Sequence, residues 1–525
     1  MPWWQTRGAR IGMLCLLALA VAWMRWHTYA EPRERDLDIY AWIGHYLLQG
    51  RPLYIDLVDI KPPLPYLLYA LAESLVGFGA PETYLLGVAS AWATLFGLYW
   101  IGARSLGRPW LGLAAAACWV LLGSDLYLQA NQPNTEVFIN AFMVWGIALL
   151  WALPTDRVEW LNCVGIGVFF ACASLCKTVA IVPAALLLLA HVLLARQGVA
   201  RALKQVVVVG VTIAALWLLM FAWLASMGAA GIGWHILFDY PAEYARISGQ
   251  GALENALTAF YPQRFMQKFF IVQAWLVLAC VVVTLLQFRD RTLVVRLLVW
   301  ALGILVAVAL PGQDSAHYFQ LWLPWLCLAL AASFEWMATT MVAEPKRAAT
   351  ASGLVIVFAA AWCAFRLWPQ YRLDAVEWSL AKYKQTFVNT EALGHRLGAE
   401  LGPNQRLFVY GVFPGLYAAA GREPESGVQN LWLALPYYGG SLSPALSARV
   451  LDELKRRPPD LIVLDAFTCA IAQAGSVDKP AEPIREWIRR NYRKSSDHYN
   501  YSIAVPAATE PGDESANDPC PATKP

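Results

Sequence analysis

Residues 35–70 read RDLDIYAWIGHYLLQGRPLYIDLVDIKPPLPYLLYA, which sets Asp36, Asp38, Asp56, Asp59 and Lys61 among apolar and aromatic residues. Carboxylates in such company serve three kinds of chemistry: general-base catalysis, binding of a divalent cation, or plain solvation and helix capping in a loop. For any one of them taken alone the third is the commonest. Other charges stand beside long apolar runs: Glu136 in NQPNTEVF, Lys177 between two such runs, and His317 in GQDSAHYFQLWLP. Where the ends of distant helices converge, these side chains and the first carboxylates can form one cluster.

The elements that must position them belong to a membrane protein. Of 525 residues, 58% are hydrophobic and only 15% charged, against roughly 25% charged in ordinary soluble domains. The net charge of +3, with no basic stripe, gives no footing for a nucleic-acid partner. Most cysteines lie in or at the ends of apolar segments, where Cys is a small buried hydrophobe. Cys469 and Cys520 lie outside them and can pair if their segments face an oxidising compartment.

Arg7, Arg10, the apolar run Ile11–Met24 and the small-residue TYA before Glu31 imitate a cleavable signal peptide. The bulky Arg25, Trp26 and His27 instead suit a retained helix whose end anchors at the interface. This is the first expected span, with the N-terminus inside. Apolar runs at 84–103, 109–124, 137–153, 160–176, 178–195, 205–227, 269–287, 297–311, 318–334 and 349–367 bring the count to eleven. The segment 63–79 begins with prolines and carries Glu73. Laid along the membrane surface, it leaves Arg104, Arg108, Arg157, Arg196, Arg201, Lys204, Arg289, Arg291, Arg296, Lys346 and Arg347 on the inner side. Only Lys177 then sits in a short outer loop, as the preference for basic cytoplasmic loops requires.

The expected fold is a polytopic α-helical membrane domain over 1–368, with about eleven transmembrane helices, in the cytoplasmic (inner) membrane. Its first outer loop, 28–83, holds interfacial helices at about 36–49 and 63–79, and a second long outer loop covers 228–268. After Trp368 the pattern alternates between helix and strand: TEALGHRLGAELG, RLFVYGV, SPALSARVLDELKRR with Ser443 as cap and Pro444 at the first position, DLIVLDA, PIREWIRRNY and YNYSIAV. That predicts a small α/β domain over 369–505, placed outside the cytoplasm by the parity of the spans. The Pro/Ala/Asp/Glu-rich tail 506–525 is expected to be disordered.

The first-loop Asp, the following Tyr40, the Gly-x-Pro-x-Tyr of Gly50–Tyr54 and DIKPPL, together with NTEVF, CKTVAIVP, the HYF…LP segment and the extracytoplasmic α/β tail, carry a resemblance. The chain resembles the GT-C class of polyprenyl-phosphate-sugar-dependent glycosyltransferases. The similar branch is that of protein O-mannosyltransferases and lipid A aminoarabinose transferases. The resemblance covers nearly the whole chain through short motifs in a fixed order. Many relatives carry two adjacent acids at the first-loop site, whereas this chain has Asp36-Leu37-Asp38. Asp36 lies four residues before Tyr40, the spacing of the family's catalytic Asp, so it is preferred and Asp38 is its rival. Tyr40, one helical turn on, can help fix the carboxylate.

The implied reaction moves a sugar from a lipid phosphate to an acceptor hydroxyl at the outer face, by one inverting displacement. It needs a base and cations, and the phosphate leaves without general-acid help. Asp36 is the implied base. Lys61 and Lys177 are implied to face the donor phosphate, with His317 and Tyr318 as further ligands. Glu136 has the option of positioning the acceptor or binding a metal, and Asp36, Asp59 and Glu136 have the option of meeting on a divalent cation.

Each assignment has an ordinary alternative. Lys61 and Lys177 can be snorkelling lysines, His317 a cap or packed residue, and Glu136 a helix-dipole acid. The other readings of the whole chain are a transporter or flippase for a lipid-linked sugar, and a non-catalytic assembly subunit. The expected partners are the lipid-linked donor, a glycan, lipid or protein acceptor, and the membrane.

Overall fold

Long apolar stretches without internal Gly-Pro breaks form helices because in lipid every backbone group must find its partner within the segment. The computed structural model describes residues 6–153, 159–195, 197–246, 271–286, 290–313, 315–341, 361, 365, 367–424, 426–474, 483–507 and 519–521. Its first part runs α1 (Arg7–Trp26), α2 (Arg35–Leu48), α3 (Leu64–Val76), α4 (Ala80–Trp100), α5 (Pro109–Leu122), α6 (Thr135–Trp151), α7 (Glu159–Cys176), α8 (Ile181–Leu193) and α9 (Val199–Ser226). Then follow α10 (Ala230–Trp234), α11 (Tyr240–Arg246), α12 (Ile271–Leu286), α13 (Arg291–Ala309) and α14 (Trp322–Met341). Among the described residues, five helices are long and apolar enough to cross a membrane: Arg7–Trp26, Ala80–Ser105, Glu159–Cys176, Val199–Ser226 and Arg291–Ala309. Most of the expected span 349–367 and most of the expected loop 228–268 lie outside the described residues. The chain is a polytopic helical membrane protein.

The helices α2 and α3 stand where two interfacial helices were expected. On α3, Leu67, Leu71 and Leu75 repeat every fourth residue and are 40, 57 and 69% exposed, while Tyr66, Tyr69 and Ala72 on the opposite face are buried. The helix thus shows one apolar stripe outward and packs its aromatic face on α2. Close approach of the two requires Gly44, where a Cβ would stand 2.8 Å from the Ala70 amide nitrogen.

The loop before α2 is fastened by a ladder of side chains to the loop before α6, always one hundred residues later. Asn131 donates to Glu31 (2.6 Å), Gln132 to the Pro32 carbonyl (3.3 Å) and Asn134 to Glu34 (2.9 Å). From the second half of the chain, Lys382 reaches the same place and pairs with Glu31 at 2.5 Å, both side chains being almost wholly buried. Trp378 adds a hydrogen bond to Asn131 (3.2 Å).

Beyond residue 368 a four-stranded sheet is built from β1 (Leu407–Tyr410), β2 (Leu461–Asp465), β3 (Tyr492–His498) and β4 (Tyr501–Pro506), in the order β1-β2-β4-β3. Strands β1 and β2 are parallel, with Leu407 opposite Leu461, and β4 pairs antiparallel with both β2 and β3. Several expected details differ. The helix expected from Thr390 begins a turn earlier, at Thr386. Ser443 is no cap: it lies inside the helix Ser443–Arg456, and its hydroxyl donates to the Ala434 carbonyl (2.7 Å). Strand β3 and the helix Ala466–Ala474 were not foreseen. The tail expected to be disordered returns at residues 519–521, where Cys520 is buried and disulfide-bonded to Cys469. Residues 508–518 and 522–525 of that tail lie outside the described residues.

Candidate active site

Asp36 and Asp38 occupy the first turn of α2, where carboxylates favour the helix dipole. At about 100° per residue, two positions apart means nearly opposite sides of the helix, and the two acids part company accordingly. Asp36 Oδ2 lies 4.0 Å from Lys61 Nζ, and Asp36 Oδ1 lies 3.4 Å from Arg35 Nε. Asp38 turns away to Arg33 (3.0 Å), whose guanidinium also binds Glu82 (2.7 Å). It packs so closely on Gly415 that a Cβ there would collide with its carboxylate.

Lys61 is held by its backbone. Its carbonyl accepts from the Tyr54 hydroxyl (2.6 Å) and the Tyr66 hydroxyl (3.3 Å), and Tyr66 also lies 2.7 Å from Asp59 Oδ2. The ammonium is left to point toward Asp36. Across the site, Lys177 at the junction of α7 and α8 donates to Glu136 Oε1 (2.7 Å), and its Nζ sits 3.3 Å above the centre of the Tyr318 ring. Glu136 is fully buried and also accepts from Thr135 (2.9 Å). His317 meets Gln129 Oε1 (3.3 Å) and stacks edge-on against Tyr318. Asp36, Lys61 and Lys177 keep 13, 14 and 12% of their side-chain surface open, while Glu136, paired with Lys177, keeps none.

The electrostatics separate the two acids further. Burial by itself would raise Asp36, but Lys61 above all, then Arg35, His317 and Lys177, hold its carboxyl below the usual carboxylate range. Burial pushes Asp38 up to about 7 despite Arg33. Burial also raises Asp59, opposed by Lys61 and the Tyr66 hydroxyl.

The structure thus brings together Asp36, Lys61, Lys177, Glu136, His317 and Tyr318, with Asp59 behind Lys61 and Asp38 apart. Tyr40 does not brace Asp36: its hydroxyl donates to Asn134 Oδ1 (3.3 Å). Asp36, Asp59 and Glu136 do not converge on one point: Asp36 faces Lys61, Asp59 the Tyr66 hydroxyl and Glu136 Lys177. Among the described residues no three His, Cys, Asp or Glu side chains form a metal-binding group.

Sequence reasoning missed three neighbours. Arg35 adjoins Asp36 and spreads over the Trp432 ring at 4.6 Å. Tyr244 of α11 interacts electrostatically with Lys61, Arg35 and Asp36. Asn134 ties Tyr40 and Glu34 together. Asn134 stands in the NTEVF motif and Arg35 beside the chosen Asp, so adjacency was the available signal; nothing local marks Tyr244.

No protein-family model matches the sequence, and no curated protein matches it. Solved structures match its fold. The oligosaccharyltransferase AglB of Archaeoglobus fulgidus, in complex with an inhibitory peptide and a dolichol-phosphate, aligns with a TM-score of 0.57 and 13% identity, over 97% of this chain and 75% of that one. ArnT of Cupriavidus metallidurans bound to undecaprenyl phosphate aligns with a TM-score of 0.58 and 13% identity, over 96% of this chain and 99% of that one. With likeness over nearly its whole length, this chain has the GT-C membrane fold that AglB and ArnT share.

Proposed function

We propose that the protein transfers a sugar from a polyprenyl-phosphate donor to an acceptor hydroxyl at the outer face of the cytoplasmic membrane, with inversion at the anomeric carbon. The observation that carries this reading is a partly open carboxylate, Asp36, facing Lys61 and held in its charged form by Lys177 and His317 as well. The GT-C fold, seen in AglB with a dolichol-phosphate and in ArnT with undecaprenyl phosphate, supports it. A transporter would instead gather its charges near the bilayer midplane on broken helices.

In this reading the acceptor oxygen attacks the anomeric carbon as its proton passes to Asp36, and the bond from that carbon to the phosphate oxygen breaks. The phosphate keeps the electron pair, stabilised by Lys61 and Lys177 with His317 and Tyr318 beside them. Lys177 leaves Glu136 in part to do so, and Glu136 holds it in place between turnovers. In the empty site the lysines make Asp36 a weak base. A bound phosphate takes up their charge, and the carboxyl rises toward its ordinary basicity as the donor arrives.

The proposed topology has eleven spans. Added to the five long apolar helices are α5, α6, α8 with the turn before it, α12 and α14, and the segment 349–367. The exposed Leu67, Leu71 and Leu75 stripe of α3 suits a helix lying at the interface. The N-terminus is then cytoplasmic. The α/β domain, 369–505, lies outside, its Cys469 joined by a disulfide to Cys520 of the tail, as an oxidising compartment favours.

The decisive experiment compares Asp36→Asn with Asp38→Asn in purified protein. Asp36→Asn should lower transfer by about 10²–10⁴-fold, the usual worth of a general base, with polyprenyl-phosphate binding intact. Asp38→Asn should cost far less. Full activity in both variants would sink the transferase reading.

A further inference from the structure

A cavity of about 280 Å³ opens between the start of α2 and the sheet, lined by Arg35, Thr386, Phe413, Asp465, Ala466, Phe467, Asn500 and Tyr501. It lies at the carboxyl ends of the parallel strands β1 and β2: Asp465 is the last residue of β2, and Phe413 follows β1 by three residues. That edge of a parallel pair is where open α/β sheets receive their ligands, because the chain diverges there and leaves a crevice.

Three kinds of group meet in it. Phe413, Phe467 and Tyr501 supply aromatic walls, and Phe467 is 45% exposed, so its ring face is open to a ligand. Its placement is fixed from behind: Asp465 accepts from the Phe467 amide (2.8 Å) and from the Thr468 amide (3.2 Å) and hydroxyl, and Trp432 stacks parallel to the ring. Asn500 and Thr386 add an amide and a hydroxyl at the rim. Arg35 adds a guanidinium whose Nε faces Asp36, while its Nη groups have no hydrogen-bond acceptor among the described residues.

Aromatic faces with a few amide, hydroxyl and guanidinium groups are what a sugar ring requires: its C–H face packs on a π face while its hydroxyls take the polar groups. The volume is near the lower end of the roughly 300–1,000 Å³ of small-molecule pockets, which suits one sugar ring better than a folded peptide loop.

We infer that this cavity is a binding site for the sugar ring of a glycan acceptor, held on Phe467 and Arg35 so that its hydroxyl reaches Asp36. The inference rests on the transferase reading above and names its acceptor class. The covalent step is unchanged: the acceptor hydroxyl loses its proton to Asp36 and gains the transferred sugar, and the polyprenyl phosphate departs.

The test uses the full chain in detergent and saturation-transfer NMR with methyl α-mannoside, methyl β-N-acetylglucosaminide and methyl β-glucuronide, beside a short Ser/Thr peptide. At least one glycoside should bind, and Phe467→Ala should weaken it roughly five- to tenfold, the scale of one aromatic contact. Asn500→Ala, in an exposed turn, is the second variant should Phe467→Ala lose its thermal transition. Binding by the peptide alone, by no glycoside, or by a glycoside indifferent to both variants would overturn the inference. Undecaprenyl phosphate is titrated into the same sample. If it binds while no glycoside does, the acceptor site fails and the transferase reading stands; if it too does not bind, the transferase reading fails with it.

Discussion

Lys61 Nζ stands 4.0 Å from Asp36 Oδ2, close enough to set the charge of the carboxylate and too far to be spent in a tight hydrogen bond with it. A cation in that position can turn to an arriving phosphate without first breaking a short contact. The same cannot be said of Lys177, which is engaged at 2.7 Å by Glu136.

Lys61→Met should therefore weaken polyprenyl-phosphate binding more than Lys177→Met weakens it. It should also shift the pH profile. Asp36 is held below the usual carboxylate range chiefly by Lys61, so removing the lysine raises the carboxyl, and the acid limb of kcat/KM moves to higher pH. The pH–rate profiles of wild type and variant check this; an unmoved acid limb would dissociate Lys61 from the base.

The buried pair of Lys382 and Glu31 predicts an effect on stability. Lys382→Met strands a carboxylate and should cost about 3–5 kcal/mol, with Glu31→Gln in the same chain restoring much of it. Burial already raises the Glu31 carboxyl and lowers the Lys382 ammonium. A carboxyl raised on folding favours the fold below its unfolded value, near 4.3, and that contribution fades as pH climbs through the folded value. The single variant should therefore recover relative to wild type as pH falls. Thermal unfolding between pH 5 and 8 reads the difference.

An alkaline phosphatase fused at about residue 400 should be active, and a cytoplasmic reporter at the same place silent. The reverse pattern would place the sheet on the inner side and refute the eleven-span topology.

Non-reducing peptide mapping should recover Cys469 and Cys520 in one linked pair. Breaking it by Cys520→Ser reopens a loop of 51 residues, worth about 4 kcal/mol on the chain-entropy account, and should lower the thermal transition while leaving polyprenyl-phosphate binding intact.

Much of this was legible in the sequence because it rests on composition and period. Long apolar runs made helices nearly where expected, and the prolines before Leu64 announced a turn into a short helix. The preference for Asp36 over Asp38 comes from the resemblance, through the spacing to Tyr40; in the structure Lys61 faces Asp36, while Asp38 turns to Arg33. Illegible were contacts decided by tertiary packing. Tyr40 shares a helical face with Asp36 yet finds Asn134, ninety-four residues away. Ser443 has the composition of a cap but is drawn to the Ala434 carbonyl. Nothing in the local sequence marks Trp432 and Phe467, which only the folded sheet brings beside Arg35.

The ladder that joins residues 31–34 to residues 131–134 also sets a schedule for synthesis. Glu31 can meet Asn131 once the first hundred or so residues have followed it, but its cation, Lys382, is made 251 residues after Asn131. At ~5–20 residues per second the nascent chain spends roughly 10–50 s with this acid facing only amides. Until Lys382 arrives the buried Glu31 carboxyl lacks its cation, so this junction can be completed only after the second half of the chain has been made.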